Sequence, residues 1–333
     1  MSSPINLHDK VFRHMDRLID IVEDRITYPV TWELDPTNRC NHYCVGCYAK
    51  GAGGRTNNDH LTLKQAKYYV DQVVELNAKA INLTGGGDPM FNKITPKLIE
   101  YIRNKGLNVG MITNGSLFND KSIKTVADNC SWVRVSLDAG TPKTHAFIRK
   151  VPEKQFGQIL NNISKLCEQK TTCKVGTALL TSPETMGDIV EFTRVSKECG
   201  VDYVQIRPFH EDFTIPLCIN ECLAMQDENF KVLYSENKYD AGYKKQYSRC
   251  EAQALSGVIN VHKLYLCCHF RGVDKYELGD LRELSLKEIW HSQHRQDIIN
   301  NLDFKDCIPH CRLDLVNRTI DNLKTSVPDE NFI

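Results

Sequence analysis

The sequence lacks an excess of charge of one sign, a long apolar run and an apolar segment near its first residue. Lysine plus arginine and aspartate plus glutamate each number 42 in 333 residues, so no net field draws the chain to nucleic acid or to a membrane surface. No stretch approaches the roughly 18 apolar residues of a membrane-spanning helix. The first residues lack the apolar core of a secretory signal, which predicts a location in the reducing cytoplasm.

Cysteine, in contrast, is abundant, with fourteen residues. In a reducing compartment this number indicates metal or cluster ligation for the regularly spaced cysteines, rather than a disulfide framework. Four others sit in or beside apolar runs and are predicted to be inert core residues: Cys130, Cys167, Cys173 and Cys199.

Three cysteines follow an apolar, strand-like run at 30–34. Cys40, Cys44 and Cys47 form a C-x3-C-x2-C pattern on one short loop. Such a loop can hold three irons of a 4Fe–4S cluster and leave the fourth iron open to another ligand. A structural zinc site needs a closed set of four ligands, which this loop supplies only if His42 joins it. The spacing favours the cluster.

Strand-like and helix-like segments alternate after the first strand. Further strands are predicted at 80–84, 107–112, 132–137, 173–180 and 203–207, and this rhythm indicates a parallel sheet with right-handed crossovers. Six strands are too few to close an eight-stranded barrel. The predicted fold class is therefore α/β, with an open, partial (βα)6 TIM-like barrel.

The rhythm stops near residue 211. A short helix at 229–236, a hairpin at 258–270 and a helix capped by Ser285 and Glu288 are predicted there. We expect an N-terminal helix in residues 1–29, the barrel in residues 30–215 and a second domain in residues 216–333.

Ligands of parallel α/β sheets bind at the carboxyl ends of the strands, so the residues at those ends are candidates for binding. Short polar residues and glycine runs also end strands without binding anything, and both interpretations stay open for each position. The candidates are Gly86, Gly87, Asp88, Thr113, Asn114, Ser136, Asp138, Arg149 and Arg207.

A second group of cysteines lies near the C-terminal end, at Cys250, Cys267, Cys268, Cys307 and Cys311. Four thiolates from distant segments can form a closed site for a second cluster or for zinc, and the chemistry alone leaves both open. Neighbouring side chains on a strand point to opposite faces, so we expect only one of Cys267 and Cys268 to be a ligand. The other packs in the core or donates a hydrogen atom to a substrate radical.

The first cysteine loop closely resembles that of the radical S-adenosylmethionine (radical SAM) enzymes. The resemblance implies that the open iron binds S-adenosylmethionine and that an electron from the cluster releases a 5′-deoxyadenosyl radical, which abstracts a hydrogen atom from the substrate. It also implies a flavodoxin- or ferredoxin-type electron donor. The family usually has an aromatic residue before the third cysteine, where this chain has Gly46, and Tyr43 or Tyr48 could cover the same surface.

The same resemblance suggests roles for the candidates at the strand ends. Gly86, Gly87 and Asp88 look like the motif that contacts the amino group of S-adenosylmethionine, with Asp88 in place of glutamate. The other positions resemble those beside the methionine and ribose (Thr113, Asn114, Ser136 and Asp138), a contact with the methionine carboxylate (Arg149), and a contact with substrate or cofactor (Arg207).

The order of cysteine, hairpin, cysteine pair, Leu-Gly-Asp-Leu, helix and final cysteine pair resembles the twitch and SPASM extensions of this family. Four or five suitable cysteines fit the shorter twitch form with one auxiliary 4Fe–4S cluster. This implies oxidation or epimerisation of a sugar or aminocyclitol-type small molecule. A maturase of a ribosomal peptide is the alternative, although the roughly 29 residues before the first strand are few for a leader-binding domain. The alternative outside enzymes is a structural zinc protein that binds a macromolecular partner, for which the only basic pair of note is Lys244-Lys245.

Overall fold

The computed structural model describes residues 10–47, 59–209 and 213–325. Its strands are β1 (Thr31–Asp35), β2 (Ala80–Leu83), β3 (Asn108–Thr113), β4 (Trp132–Ser136), β5 (Lys174–Thr181), β6 (Tyr203–Pro208), β7 (Lys231–Tyr234), β8 (Ser256–Asn260), β9 (Lys263–Tyr265) and β10 (Glu277–Asp280). In the described residues they form one sheet in the order β10-β9-β8-β1-β2-β3-β4-β5-β6-β7.

Helices cover the sheet between and after these strands. They are α1 (Met15–Val22), α2 (Leu63–Glu75), α3 (Thr95–Asn104), α4 (Asp120–Asn129), α5 (Pro142–Arg149), α6 (Lys154–Gln169), α7 (Ile189–Glu198), α8 (Ile219–Ala224), α9 (Leu286–His291), α10 (Gln293–Asn300) and α11 (Asp314–Lys324). None of the helices in the described part of the chain combines the length and apolar character needed to cross a membrane.

The alternation of buried and half-buried residues places the hydrophobic core on the outer face of the sheet. Trp32 and Leu34 of β1 and Ile81 and Leu83 of β2 are almost fully buried there. Because side chains alternate along a strand, the residue between Trp32 and Leu34, Glu33, points to the inner face. The sheet therefore has an apolar outer layer under the helices and a polar interior.

The predicted (βα)6 order is confirmed, since β1 to β6 are parallel neighbours in chain order. The sheet is also curved. Arg134 of β4 donates a hydrogen bond from Nη1 to Oε1 of Gln205 on β6 (2.6 Å), across the intervening strand β5. This contact brings inward side chains of non-neighbouring strands together, as in a partial barrel.

Two features of the C-terminal half differ from the expectation. The helix predicted at 229–236 is wrong: residues Lys231–Tyr234 form β7, which extends the parallel sheet at the edge of β6. The predicted hairpin is present as β8 and β9, but β8 pairs in parallel with β1. Eight parallel strands thus lie side by side, and the antiparallel β9 and β10 end the sheet at one edge without closing it.

The C-terminal segment is also tied to the barrel by packing. The Trp290 ring lies 5.5 Å from that of Trp32, and its Nε1 donates to the backbone oxygen of Thr27 (2.7 Å). Residues 1–9 of the predicted N-terminal helix segment lie outside the described residues, and the observed helix α1 begins at Met15 after a 3-10 turn at Phe12–His14. The predicted division into residues 1–29, 30–215 and 216–333 stays a prediction.

Candidate active site

The loop after β1 brings Cys40, Cys44 and Cys47 into one half-buried segment. Backbone hydrogen bonds fix this loop on the end of α5. The Tyr43 N–H donates to the oxygen of Arg149 (3.1 Å), and the Val45 N–H donates to the oxygen of Ile148 (2.8 Å). The positions of the three thiols are therefore set by tertiary contacts as well as by their spacing.

Hydrogen-bond donors face two of these sulfur atoms. Arg149 directs Nη1 to Cys44 Sγ (3.3 Å), and Asn114 directs Nδ2 to Cys40 Sγ (3.8 Å). The backbone N–H of His42 also donates to Cys40 Sγ (3.4 Å). Donors of this kind stabilise negative charge on sulfur, so the loop suits thiolate ligands of an iron–sulfur cluster.

The glycine run after β2 supports the same loop. The Gly87 N–H donates to the oxygen of Thr37 (3.1 Å), and the Asp88 N–H donates to the oxygen of Arg39 (2.9 Å). A Cβ on Gly87 would overlap the Arg39 backbone, and one on Gly86 would overlap the side-chain amides of Asn38 and Asn260. Glycine is required here because the two backbones approach each other closely.

Asp88 is buried and already engaged within the chain. Its carboxylate accepts hydrogen bonds from the backbone N–H groups of Met90 (2.9 Å) and Asn114 (2.6 Å) and from the hydroxyl of Thr113 (2.9 Å). Burial raises the pKa of this carboxyl group although these donors oppose the shift. Asp88 therefore links the end of β2 to the end of β3 through hydrogen bonds. Its predicted contact with the ammonium group of S-adenosylmethionine remains a prediction.

Asn114 connects Asp88 to the cysteine loop, because its backbone N–H bonds to Asp88 and its side chain faces the loop. Its Nδ2 donates to Asn41 Oδ1 (3.0 Å), while its Oδ1 accepts from the backbone N–H of Ser116 (2.9 Å). The candidates Asp88, Thr113 and Asn114 are therefore brought together beside Cys40.

Ser136, Asp138 and Arg149 form a second group beside the loop. Arg149 Nη2 pairs with Asp138 Oδ2 (2.5 Å) and also contacts the backbone oxygen of Ser136. Asp138 Oδ1 accepts from the N–H of Leu180 (2.9 Å). Burial alone would lower the pKa of Arg149, but Asp138 and Cys44 raise it above its ordinary value. The predicted contact of Arg149 with a methionine carboxylate stays a prediction.

The ring of Phe209 lies against Gly46, the cysteine-loop position at which the family usually has an aromatic residue. Gly46 adopts a left-handed conformation (φ +63°), and a Cβ there would overlap the ring of Phe209, just after β6. Of the two expected substitutes, Tyr43 is 63% exposed and Tyr48 lies outside the described residues. The sequence could not indicate Phe209, because 163 positions separate it from Gly46.

The second cysteine group also comes together. Cys250, Cys267, Cys268, Cys307 and Cys311 line one cavity, which is closed on its other sides mainly by apolar residues such as Leu266, Phe270 and Leu302. Burial, together with the neighbouring thiols, raises the pKa of Cys250 to about 12 and that of Cys307 to about 11. Several thiols crowded in an apolar cavity suit a bound cationic centre, which would offset the charge of the thiolates.

The two adjacent cysteines have different surroundings. Cys267 lines the cysteine cavity, and besides burial the neighbouring thiols of Cys268, Cys250 and Cys307 raise its pKa. Cys268 also lines this cavity, but the charges that act on its thiol are those of Arg312, Glu33 and Arg271, which belong to the polar interior of the barrel, and Arg271 Nη1 donates to its backbone oxygen (3.3 Å).

Sequence reasoning missed this group of interior charges. The Glu33 carboxylate accepts a hydrogen bond from Arg271 Nη2 and forms an ion pair with Arg312 Nη1, each at 2.5 Å. The Asp35 carboxylate forms an ion pair with Arg271 and accepts a hydrogen bond from Asn260 Nδ2 (2.9 Å). Burial would raise the pKa of Glu33, but Arg312 and Arg271 hold it below its usual value; burial raises the pKa of Asp35. Two carboxylates spaced i, i+2 on a barrel strand were the available signal.

Strand register places the two cysteine groups at opposite ends of β1. The Cys40 loop follows the last residue of β1, whereas Cys267 lies two residues beyond Tyr265, which pairs with Val258 near the start of β8. Since Ser256 of β8 is in register with Thr31, the cavity lies near the beginning of β1. The five residues of β1 lie between the two groups and span roughly 15 Å.

In the described residues no three histidine, cysteine or carboxylate side chains surround a single metal-ion position. A tetrahedral zinc ion would bind all its sulfur ligands at about 2.3 Å and hold them close together. Ligands of a four-iron cluster bind different iron atoms and lie farther apart. Neither cysteine group, among the described residues, thus forms the closed ligand set of a single zinc ion.

Two family models match the chain. The radical SAM superfamily covers residues 34–195, and an iron–sulfur cluster-binding domain named SPASM covers residues 258–313. The first match contains the cysteine loop and the strand-end candidates up to Arg149. The second contains all the cavity cysteines except Cys250.

Curated relatives match part of the chain. Fe-coproporphyrin III synthase of Methanosarcina barkeri is 34% identical over 110 residues, which are 33% of this chain and 27% of that protein. AdoMet-dependent heme synthase of the same organism is 26% identical, covering 56% of this chain and 50% of the relative. GTP 3′,8-cyclase of Peptoclostridium acidaminophilum is 27% identical, with 58% and 59% covered. The chain spans less than two thirds of each of these proteins.

Solved structures share the fold. Streptococcus suis SuiB bound to precursor peptide SuiA superposes with a TM-score of 0.65 at 13% identity, over 90% of this chain and 73% of that one. The enzyme anSMEcpe with bound AdoMet gives 0.59 at 14% identity, over 84% and 88%. This likeness shows the fold, while the two family models identify residues 34–195 as a radical SAM superfamily domain and residues 258–313 as a SPASM domain, so that 4Fe–4S clusters and S-adenosylmethionine are the implied cofactors of the chain.

Proposed function

We propose that the chain takes a hydrogen atom from a substrate held in the barrel interior and returns one to the resulting radical from Cys268. The net reaction is an epimerisation. The observation that carries this proposal is that Cys268, which also lines the cysteine cavity, accepts a hydrogen bond at its backbone oxygen from Nη1 of Arg271 in the barrel interior (3.3 Å). The charges of Arg312, Glu33 and Arg271 act on its thiol, whereas the thiols of Cys268, Cys250 and Cys307 act on Cys267. Its setting is the reducing cytoplasm, with a flavodoxin- or ferredoxin-type protein as the electron donor.

The cysteine loop is the first part of this machinery. Cys40, Cys44 and Cys47 would hold the cluster, which with S-adenosylmethionine would supply the radical chemistry that removes hydrogen from a substrate C–H bond. The chain itself holds the ligands in place through Arg149 and Asn114, which donate to Cys44 and Cys40. Gly87 allows the strand-end backbone to lie against the loop.

The substrate occupies the space between the two cysteine groups. Inward side chains of β1, β4 and β6 surround this space, and they are polar: Glu33, Asp35, Arg134, Gln205 and Arg207. A polar interior suits a small molecule that carries hydroxyl or charged groups, because buried polar side chains need partners.

In this proposal, four cysteines of the second group are ligands of the auxiliary cluster and the fifth donates a hydrogen atom to the substrate radical. Cys250, Cys267, Cys307 and Cys311 hold the auxiliary cluster, and Cys268 keeps its thiol hydrogen. That S–H bond breaks as a C–H bond forms on the opposite face of the substrate radical. The sulfur radical left on Cys268 then takes one electron and one proton, which the electron donor and solvent supply, and becomes a thiol again.

Oxidation of an alcohol to a ketone is the second candidate, and one observation favours it. Burial raises the pKa of Cys268, but Arg312 and Arg271 oppose this shift and stabilise the thiolate, which is the form that ligates iron. If Cys268 is a ligand it cannot donate hydrogen, and the epimerisation is lost. Peptides also belong in a substrate screen, since SuiB and anSMEcpe have been solved with peptides.

The experiment compares Cys268→Ala with Cys267→Ala after anaerobic reconstitution. We expect about eight irons per chain in wild type and Cys268→Ala, and about four in Cys267→Ala. The opposite pattern would assign Cys268 as the ligand and remove the hydrogen-donor role. A screen of sugars, polyols, carboxylic acids and short peptides for release of 5′-deoxyadenosine then identifies a substrate.

With that substrate, turnover in D2O should place one deuterium on the inverted carbon. Cys268→Ala should still release 5′-deoxyadenosine but should form no epimer. Epimer formation by Cys268→Ala at the wild-type rate, or a ketone product from wild type, would contradict the proposal.

A further inference from the structure

Three cationic side chains in the barrel interior have no anionic partner in the part of the chain that the structure describes. Arg207 at the end of β6 makes no side-chain hydrogen bond or ion pair there, and neither does Lys238 in the 3-10 turn Glu236–Tyr239. Arg134 of β4 has one contact, to the neutral amide of Gln205. The Nε atoms of both arginines are buried without a hydrogen-bond partner.

The three cations lie near one another. Arg207 has Arg134, Asp138, Cys268 and Arg312 as its main charged neighbours. Lys238 has Arg207, Cys311, Arg134 and Cys268. Gln205, which accepts from Arg134 (2.6 Å), and Arg207 are two residues apart on β6, so their side chains share the inner face. Lys238 follows β7, which pairs with β6, and these positions together with the mutual charge effects place the three cations in one cluster near Cys268.

The carboxylates of the interior do not neutralise this cluster. Glu33 is paired with Arg271 and Arg312, and Asp35 is paired with Arg271. Asp138 is paired with Arg149 and also accepts from the N–H of Leu180. Each carboxylate near the cluster is therefore already matched by another arginine.

All three side chains are half-buried. A cation that is partly removed from water without a partner is costly, and a group of such cations repel one another. Burial lowers the pKa of Arg207 to about 10, with Arg134 adding to the shift, and lowers the pKa of Lys238 to about 8, with Arg207 adding to it. Both values exceed 7, so both groups stay charged at neutral pH. Such a cluster is stabilised when an anion binds.

We infer that Arg134, Arg207 and Lys238 bind a carboxylate or phosphate group of the substrate. The planar guanidinium groups suit the oxygen pairs of either anion, and the ammonium group adds a point charge. This inference rests on the proposed function, and it adds the chemical class of the substrate on which that reaction acts. A small sugar phosphate or carboxylic acid fits the cluster, whereas an aminocyclitol with ammonium groups is repelled by it.

The anion is distinct from the methionine carboxylate of S-adenosylmethionine, whose predicted contact is Arg149, whereas Arg207 is predicted to contact substrate or cofactor. Arg149 lies at the cysteine loop and donates a hydrogen bond from Nη1 to Cys44 Sγ (3.3 Å). Arg207 instead has Cys268 of the opposite cysteine group among its neighbours. The position next to Cys268 holds one end of the substrate near the proposed hydrogen donor.

The test measures binding of inorganic phosphate and of succinate to the reconstituted enzyme with S-adenosylmethionine bound, by calorimetry. The variants are Arg207→Gln and Arg134→Gln, and the matched control is Arg13→Gln, which removes an exposed arginine. We expect wild type and the control to bind at least one of the two anions equally. Each interior variant should bind it about tenfold more weakly or worse, as for loss of a charge-assisted hydrogen bond. Iron content and affinity for S-adenosylmethionine should stay unchanged.

Three results would overturn the inference. Equal anion affinity in all proteins, or none in wild type, would show that the cluster binds no anion. A matching fall in affinity for S-adenosylmethionine would assign Arg207 to its carboxylate. A loss of iron would assign the cations to the auxiliary cluster. Release of 5′-deoxyadenosine is scored separately, so failure of the radical reaction with an intact anion site would reject the proposed function alone.

Discussion

Arg149 joins the cysteine loop to β4 through a single guanidinium group. It pairs with buried Asp138 and donates to Cys44. In Arg149→Gln the Asp138 carboxylate loses its cation, and the free energy of unfolding should fall by about 3 kcal/mol, as for one broken partner of a buried ion pair. Urea unfolding measures this, with Arg13→Gln as the control that changes little. A loss below about 0.5 kcal/mol would mean that the pair contributes no more than a surface contact.

His145 gives the stability a pH dependence. The ring is fully buried, and neither ring nitrogen has a hydrogen-bond partner among the described residues. Burial, with Arg149 adding to it, lowers the pKa of His145 to about 4, below the model-peptide value of 6.5. The unfolded chain therefore binds a proton between these pH values that the folded chain does not, so stability falls as the pH drops through this window.

The expected loss from His145 reaches about 3 kcal/mol when the pH falls from about 6.5 to about 4. The measurement is urea unfolding at several pH values for wild type and His145→Phe, which removes the titrating group. The variant should show a shallower decline over that window. Equal slopes in the two proteins would show that other groups cause the acid sensitivity.

At the scale of elements, the glycine run after β2 positions the cysteine loop. Gly87→Ala should displace the Arg39 backbone, because the added Cβ meets backbone atoms that cannot rotate away. We expect the loop cluster to be lost, so that iron falls from about eight to about four per chain. Gly157→Ala is the control, since nothing lies within 4 Å of its added Cβ in α6 and alanine favours the helix by about 0.5–1 kcal/mol. Full iron content in Gly87→Ala would contradict this role.

The elements of the barrel could be predicted because their signals are local. Strands β1 to β6 lie within a residue or so of their predicted positions, and the Ser285–Glu288 capping box begins α9 as expected. Strand β7 was missed because a four-residue segment has too short a pattern to separate strand from helix. It is a strand because the open edge of β6 pairs with it, and that edge is a tertiary feature.

In the candidate site, too, local features could be predicted from the sequence and tertiary contacts could not. The cysteine groups and strand-end residues could be found from spacing and position. The partners of these residues could not, because they come from distant segments: Phe209 against Gly46, and Arg271 on Glu33 across 238 positions. The sequence also does not show that Asp88 and Asn114 bond to each other and to the loop.

At the scale of the whole molecule, β8 gives the C-terminal segment its place. By pairing in parallel with β1, it carries the second cysteine group to the opposite end of that strand from the first. The arrangement leaves a polar interior between two sets of thiols, with the arginines and carboxylates of the inner face around it. The central claim of the account is that these two sets hold two separate four-iron clusters.

Iron and acid-labile sulfide per chain after anaerobic reconstitution test this claim most directly. The proteins are wild type, Cys40/Cys44/Cys47→Ala and Cys250/Cys307→Ala. The account predicts about eight irons in wild type and about four in each variant, with 5′-deoxyadenosine release lost in the first variant. About four irons in wild type, none in the loop variant and no change in the C-terminal variant would contradict it, because the second group would then hold no cluster.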